Sequence, residues 1–190
     1  MWGAWSTAQS STVTQKCDHI GGQGSSVIVD LDGTIAELAP RVLRYAVARL
    51  GDPSLAEEVA QESLAALVRR CRNGSAPDSA EAFVFAVARR RAGRAAWRRR
   101  LWVPLEHAFG VRTDSPTPEA RAIAQAETRR VRAALSRLSH RDREAILLVA
   151  VGELTMGDAA AALGLSVSAV KMRLSRARAR LTALLEDGHA

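Results

Sequence analysis

The sequence predicts an all-α protein made of two small helical domains joined by a flexible linker. Alanine and leucine, both strong helix formers, supply most of the apolar residues. On each side of residues 102–118, apolar residues recur at the three- and four-residue steps of a helix face. Residues 102–118 contain prolines and a glycine and lack this periodicity. We therefore expect domains at residues 33–101 and 119–187, with residues 1–32 as a disordered N-terminal extension.

The charge and composition of the chain indicate which kinds of partner it can bind and where in the cell it works. The 190 residues carry a formal net charge of +7, which favours an anionic partner such as nucleic acid. The N-terminus lacks the basic and apolar regions of a signal peptide, and no apolar run approaches the roughly 18 residues that a membrane span needs. We expect a cytoplasmic protein without membrane insertion.

The two cysteines, Cys17 and Cys71, form neither a disulfide framework nor a zinc site, and Cys71 is expected to be at least half-buried.

Residues 27–35, VIVDLDGTI, resemble the first motif of haloacid-dehalogenase-type phosphatases. In that family the first aspartate, here Asp30, is the nucleophile, the second, Asp32, is a general acid/base, and magnesium binds the site. The family needs a parallel sheet, and parallel sheets need repeated strand-then-helix units. The downstream sequence is helical and lacks the later acidic pair. We therefore expect residues 32–34 to cap the next helix, and we expect no catalytic residue, metal or cofactor.

The first domain is predicted to contain three helices. The first, residues 35–50, has one apolar face and ends at Gly51. The second, residues 55–72, is expected to begin at the cap Ser54 and carries acidic residues in its first turn and arginines in its last, which complements the helix dipole. The third begins after Asp78 or Ser79 and runs to about residue 101. It contains the apolar residues Phe83, Phe85, Val87, Ala88, Ala92 and Trp97, of which Trp97 is expected either to lie in the core or to stack on a base.

The back half of the third helix has seven arginines within residues 89–100. Like charges one turn apart destabilise a helix, so an anionic partner is expected to offset them. Phosphate contact is the favoured interpretation, with Trp97 and Trp102 available to stack on unpaired bases. A solvated basic face is the alternative.

Residues 152–181, GELTMGDAAAALGLSVSAVKMRLSRARARL, predict a helix-turn-helix. Thr155 and Ser166 are expected to cap its two helices, and Gly164 to end the first. An apolar stripe (Val170, Leu174, Ala177, Leu181 and Leu184) leaves basic residues on the other face of the second helix, which would enter a major groove. An ordinary helical bundle with a solvated basic helix is the alternative. Before this motif, Ser139 should cap a helix with Ile146, Leu147 and Val149 or Ala150 in the core.

The two halves together resemble a bacterial RNA polymerase sigma factor of the extracytoplasmic-function (ECF) group. Residues 38–67, LAPRVLRYAVARLGDPSLAEEVAQESLAAL, look like the family's regions 2.1 to 2.2. Residues 135–181, LSRLSHRDREAILLVAVGELTMGDAAAALGLSVSAVKMRLSRARARL, are similar to its region 4. The resemblance covers residues 33–186. It implies a non-enzymatic subunit that binds core RNA polymerase, through the β′ clamp helices and the β flap, and promoter DNA. It also implies an anti-sigma factor as a further partner.

The resemblance also implies roles for individual residues. The residues of the second helix to which the resemblance assigns polymerase binding are Leu55, Glu57, Glu58, Gln61 and Glu62. Capture of a flipped base of the −10 element and of the single strand falls on the following loop and helix: Asn73, Asp78, Arg89, Arg90, Arg94, Trp97, Arg98 and Arg99. Recognition of the −35 element falls on the last helix: Ser168, Lys171, Met172, Arg173, Ser175 and Arg176. Binding of the extruded base would provide the free energy for DNA melting, since no Gly-Lys-Ser/Thr phosphate loop is present.

A stand-alone transcriptional regulator is the rival interpretation, because it needs only the C-terminal helix-turn-helix. It does not explain an acidic second helix followed by an arginine-rich third helix in the first domain.

Overall fold

The computed structural model describes residues 30–102 and 118–187, with side chains for residues 30–97 and 126–187. Within these ranges the chain contains α-helices, one π-helical segment and no strand, which confirms the all-α prediction. Residues 1–29 of the predicted N-terminal extension and 103–117 of the predicted linker lie outside the described residues. Residues 31 and 32, predicted to belong to the disordered extension, are instead helical. The elements are α1 (Leu31–Leu50), α2 (Pro53–Arg72), α3 (Ala80–Trp102), α4 (Pro118–Arg137), α5 (His140–Ile146), the π segment (Leu147–Val151), α6 (Met156–Leu163) and α7 (Val167–Glu186).

Two helices begin earlier than the sequence predicted. Asp30 caps α1 by accepting a hydrogen bond from the Gly33 N–H at 3.0 Å. The predicted cap at residues 32–34 is therefore wrong, because these residues form the first turn of the helix. Asp52 caps α2 by accepting a hydrogen bond from the Leu55 N–H at 3.1 Å. The predicted cap Ser54 is wrong because Pro53, which has no N–H to leave unsatisfied, takes the first helical position.

The caps of the C-terminal helices follow the prediction. Ser139, Thr155 and Ser166 each accept a hydrogen bond from the N–H three residues on. Gly164 ends α6 at φ 67°, a left-handed conformation that a residue with a Cβ adopts only with strain.

The predicted helix after Ser139 changes character halfway. It is α-helical to Ile146 and then π-helical over Leu147–Val151. Leu147 and Leu148 of the π segment are buried, whereas Val149 is half-buried and Ala150 is exposed. The segment ends at Gly152 and Glu153, the latter with φ 56°.

The core extends without a break through both halves of the chain. We refer to α1–α3 as the first module and to α4–α7 with the π segment as the second module. Helix α3 packs against α6, and α1 packs against the π segment. At this junction a Cβ on Gly152 would lie 2.6 Å from Cε1 of Phe85, so the close approach needs glycine. Tyr45, which the sequence analysis did not place in the core, is fully buried there.

The structure shows the burial of two side chains, Cys71 and Trp97, for which the sequence made predictions. Cys71 is half-buried, as expected. Trp97 is 65% exposed, so its interpretation as a core residue is wrong. Among the described helices, none has the length and apolar character that crossing a membrane requires.

Candidate nucleic-acid and polymerase interfaces

The recognition surface is the outward face of α7. Val170, Leu174 and Ala177 are buried against the second module and hold the helix in place. Because residues three and four apart share a helix face, the opposite side collects most of the residues predicted to contact the −35 element. The exposed members are Ser168, Lys171, Met172, Ser175 and Arg176, and Arg173 is half-buried at the edge.

The N-terminus of α7 lies at the start of this surface. The hydroxyls of Ser166 and Ser168 are 3.0 Å apart, and the Ser166 oxygen caps the helix. The first turn of α7 contains no acidic residue. An exposed hydroxyl at the positive end of a helix dipole suits a phosphate.

Some arginines of the α3 run are exposed to solvent, and others contact the rest of the protein. Arg90, Arg94 and Trp97, spaced four and three residues apart, form one exposed stripe, which we call the α3 stripe. Arg91 instead makes an ion pair with Glu62 of α2. Arg89 is half-buried near Tyr45 and His140, and its buried Nε has no hydrogen-bond partner among the described side chains and backbone.

This division corrects the expectation that an external anion offsets the whole run. Arg91 is already paired with a carboxylate of the same module, and Arg89 is half-buried with its Nε covered by the protein. The side chains of Arg98 and Arg99 lie outside the described residues, so their predicted role stays a prediction.

The predicted base-capture loop precedes α3. Asn73 and Asp78 are both exposed, and Gly74 between them has φ 70°. Ser79 caps α3 by accepting a hydrogen bond from the Ala82 N–H at 3.0 Å, and its hydroxyl donates to Asp158 of α6 at 2.5 Å. The loop is therefore fixed at its end against the helix-turn-helix.

The carboxyl group of Asp158 has a lowered pKa. Burial raises the pKa, but hydrogen bonds from Ser79 and Thr155 outweigh burial by favouring the charged form. Asp158 is therefore ionised near neutral pH, where its carboxylate accepts hydrogen bonds from the α6 cap Thr155 and from Ser79 at the end of the base-capture loop.

The outer face of α2 is acidic. Glu57, Glu58 and Gln61 are exposed, and Leu55 is half-buried beside them. An open groove between α2 and α3 adjoins this face, with Glu58 on one side and Arg94 and Trp97 on the other. Because Glu62 is paired with Arg91, it also ties α2 to α3.

A polar cluster that was not predicted from the sequence lies between the modules. The buried Glu144 of α5 accepts hydrogen bonds from the Tyr45 hydroxyl and from Arg49 of α1. Burial, together with the Glu144 charge, raises the pKa of Tyr45, so the phenol stays protonated. Burial and the Arg49 charge lower the pKa of His140. The signal available in the sequence was a tyrosine on the apolar face of α1, three residues after Val42.

No group of three or more histidine, cysteine, aspartate or glutamate side chains in the described ranges is arranged to hold a metal ion.

Sequence models of two sigma-70 regions match the chain. The region 2 model covers residues 34–103, which include the α2 face and the α3 stripe. The region 4 model covers residues 128–181, which include the helix-turn-helix.

Curated relatives agree with this match. The chain is 48% identical over 82 residues to the RNA polymerase sigma factor CnrH of Cupriavidus metallidurans, a match that covers 43% of each protein. The matched stretches span less than half the length of CnrH and of NccH from Alcaligenes xylosoxydans. Longer matches link the chain to the ECF RNA polymerase sigma factor ShbA of Streptomyces griseus, with 36% identity over 80% of this chain and 86% of ShbA.

Solved structures show the same fold. The structure of CnrH in complex with the cytosolic domain of CnrY superposes with a TM-score of 0.60 and 24% identity, covering 83% of this chain and 88% of CnrH. The sigma factor RpoE of Bartonella quintana, in complex with the anti-sigma factor NepR, superposes with a TM-score of 0.63 and 23% identity, covering 83% of this chain and 97% of that one. The two sigma-70 regions and the relatives that match along most of their length establish that the chain belongs to the ECF sigma factors.

Proposed function

We propose that this chain is a non-enzymatic specificity subunit of RNA polymerase. It binds core polymerase, recognises the −10 and −35 promoter elements, and promotes melting of the −10 region in the cytoplasm. The observation that carries the proposal is the presence of three chemically distinct exposed surfaces on one chain. These are the acidic face of α2, the α3 stripe and the outward face of α7.

The −35 element would be recognised by α7. Its exposed face combines two cations with the flexible apolar side chain of Met172 and two hydroxyls, and its buried face fixes the helix on the second module. Charged side chains anchor such a helix on the phosphates, while side chains that reach base edges discriminate the sequence.

The −10 element would be opened by the base-capture loop and the α3 stripe. Arg90 and Arg94 provide phosphate contacts along the strand, and the exposed Trp97 provides a stacking surface for an unpaired base. Binding an extruded base and a single strand shifts the duplex towards the melted state without any hydrolysis.

Core polymerase would bind the acidic face of α2. Glu57, Glu58 and Gln61 are exposed, and neither carboxylate makes an ion pair within the described residues, so this face is available to basic residues of a partner. We also propose an anti-sigma factor as a partner, because two related sigma factors were solved in complexes with CnrY and with the anti-sigma factor NepR.

In vitro transcription distinguishes this proposal from the stand-alone regulator. Purified chain is added to core polymerase and fragments of the source genome, and transcripts are mapped. A sigma factor converts core polymerase into an initiating enzyme on a subset of fragments. Transcripts that require another sigma factor, with this chain only changing their amount, would contradict the proposal.

Arg176→Ala is expected to weaken binding to the −35 element by about 5- to 150-fold, the range for loss of one good base contact. Fluorescence anisotropy at fixed salt, with matched and scrambled −35 duplexes, measures the change. Arg178→Ala is the control, because Arg178 is equally exposed but two positions along a helix point about 200° apart. Equal losses in the two variants, or equal losses on the scrambled duplex, would contradict a role in recognition.

The double variant Arg90→Ala/Arg94→Ala is expected to impair promoter melting more than polymerase binding. It removes two phosphate contacts from the α3 stripe but leaves the α2 face intact. Permanganate reactivity of −10 thymines measures melting, and pull-down of core polymerase measures binding. Arg137→Ala/Arg141→Ala removes the same charge from exposed positions of α4 and α5 and is the control. An unchanged permanganate pattern in the α3 variant would contradict the assignment.

A further inference from the structure

An ion pair crosses the groove between α2 and α3, and both of its partners belong to the first module. The guanidinium of Arg91 on α3 donates a hydrogen bond to the carboxylate of Glu62 on α2. Glu58 lies one helical turn before Glu62 and lines the same groove, with Arg94 and Trp97 on the α3 side. The acidic face of α2 and the α3 stripe therefore meet at this pair.

Arg91 lies at the edge of the α3 stripe. Residues three apart are neighbours on a helix surface, so the side chain of Arg91 begins beside that of Arg94. Arg90 and Arg94 are exposed and are proposed to contact phosphates, whereas Arg91 points to Glu62. A change of side-chain rotamer, without movement of the helix, would direct the Arg91 guanidinium to the strand that its two neighbours contact.

The pair of Arg91 with Glu62 can be exchanged readily. The two side chains are 34% and 45% exposed, so water screens the attraction between their charges. The ordering of two long side chains offsets much of the remaining gain. A second charged group that reaches either partner can therefore displace the other.

Glu62 has a competing cationic partner in the proposed complex. It is one of the residues predicted to bind polymerase, and it shares a helix face with the exposed Glu58, four residues earlier. A basic surface that docks on Glu58 therefore comes within reach of Glu62. When Glu62 pairs with that surface, Arg91 loses its counter-ion in a groove that already contains the Arg94 guanidinium.

We propose that Arg91 is a further strand-binding residue, paired with Glu62 in the free protein and released to a DNA phosphate when core polymerase engages Glu62. Its ligand is a backbone phosphate of the single-stranded −10 region. Because polymerase removes the competitor of that phosphate, polymerase binding strengthens strand binding, and strand binding strengthens polymerase binding by the same factor. This inference rests on the proposed sigma-factor function.

Binding of a single-stranded oligothymidylate to the free chain tests the competition. This probe carries phosphates and stackable bases but no promoter sequence, so its fluorescence anisotropy reports strand contact alone. Glu62→Gln keeps the side-chain shape and removes the charge, and it should raise affinity by about two- to fivefold at low salt. The addition of Arg91→Ala should remove most of this gain. The effect of Arg91→Ala should be smaller in the otherwise unaltered chain, where Arg91 is paired.

The salt dependence gives a second measure of the same contact. Each phosphate contact to a single strand contributes about 0.7 to the slope of log affinity against log salt concentration. In the Glu62→Gln background, Arg91→Ala should therefore lower that slope by about 0.7. Arg91→Lys should keep most of it, because the charge is retained.

Glu58→Gln is the matched control, since it removes the same charge from the same groove one turn earlier. Glu58 makes no ion pair within the described residues, so its removal releases no arginine. Any gain in strand affinity that Glu58→Gln gives should survive the addition of Arg91→Ala. Equal dependence on Arg91 in the Glu58→Gln and Glu62→Gln backgrounds would overturn the proposal.

A purely structural ion pair would give a different result. Thermal unfolding followed by circular dichroism should shift little in Glu62→Gln, because the pair is exposed. If the pair only held α2 against α3, Glu62→Gln would lower the unfolding midpoint and strand affinity together. That outcome would overturn the proposal.

Promoter melting in the assembled enzyme tests the release of Arg91. With core polymerase bound, Arg91→Ala should lower the permanganate reactivity of −10 thymines by about two- to fivefold, at a promoter mapped by transcription. Arg91→Lys should keep most of the reactivity. Arg91→Ala should not weaken pull-down of core polymerase, since it leaves Glu62 available. Unchanged reactivity in an Arg91→Ala holoenzyme would overturn the proposal.

Failure of the proposed function is distinguishable from failure of this inference. A chain that binds no core polymerase would contradict the sigma-factor function and, with it, the release step. An Arg91-dependent gain in Glu62→Gln would still establish that Arg91 contacts a single strand and that Glu62 competes for it.

Discussion

Phe85→Ala is expected to lower the free energy of unfolding by about 3–5 kcal/mol, the range for a large ring removed from a core. Phe85 is fully buried and contacts Tyr45 edge-to-face, with ring centroids 5.5 Å apart and an interplanar angle of 71°. Its ring also abuts Gly152 of the second module. The substitution therefore leaves a cavity at the junction of the modules.

Urea unfolding followed by circular dichroism measures this change. Phe83→Ala is the control on the same helix, since Phe83 is half-buried and its ring lies 5.3 Å from the Arg70 guanidinium. The Phe83 substitution should cost clearly less, because water already reaches one side of that ring. Equal shifts of the two unfolding midpoints would mean that Phe85 is not a core residue of the molecule in solution.

Leu174→Ala is expected to lower the free energy of unfolding of the second module by about 2–5 kcal/mol. Leu174 is 2% exposed and lies between Val170 and Ala177 on the buried face of α7. Its removal loosens the recognition helix, so affinity for every DNA sequence should fall together with stability.

Met172→Ala tests the exposed face of α7, whereas Leu174→Ala tests its buried face. Met172 is 66% exposed, so its substitution should leave the free energy of unfolding within about 0.5 kcal/mol of the original. Its proposed contact with the −35 element predicts a loss of affinity for matched DNA alone. Thermal unfolding and anisotropy on the same two variants measure both properties. A large stability loss in Met172→Ala would contradict the assignment of the outward face.

The cavity in Phe85→Ala lies where the two modules meet, so the substitution should weaken their packing as well as the first module.

Local patterns in the sequence were enough to predict the helices, three caps of the second module and the glycine that ends α6, and they identified the family. These features depend on residues within one or two turns of each other, as in the bond from the Asp158 N–H to Thr155. Where a local signal was ambiguous, as at Ser54, a neighbouring residue decided it: Pro53 took the first helical position and left the cap to Asp52.

Which charged side chains are exposed and which pair with distant residues became known from the tertiary structure alone. The arginines of α3 look alike in sequence, yet Arg90 and Arg94 are exposed, while Arg91 pairs with a residue 29 positions away. Tyr45 and Arg49 contact Glu144 across 99 and 95 residues. The burial of a charge depends on which distant surface covers it, and helical periodicity carries no information about that surface. The pairing of the modules therefore became visible only in three dimensions.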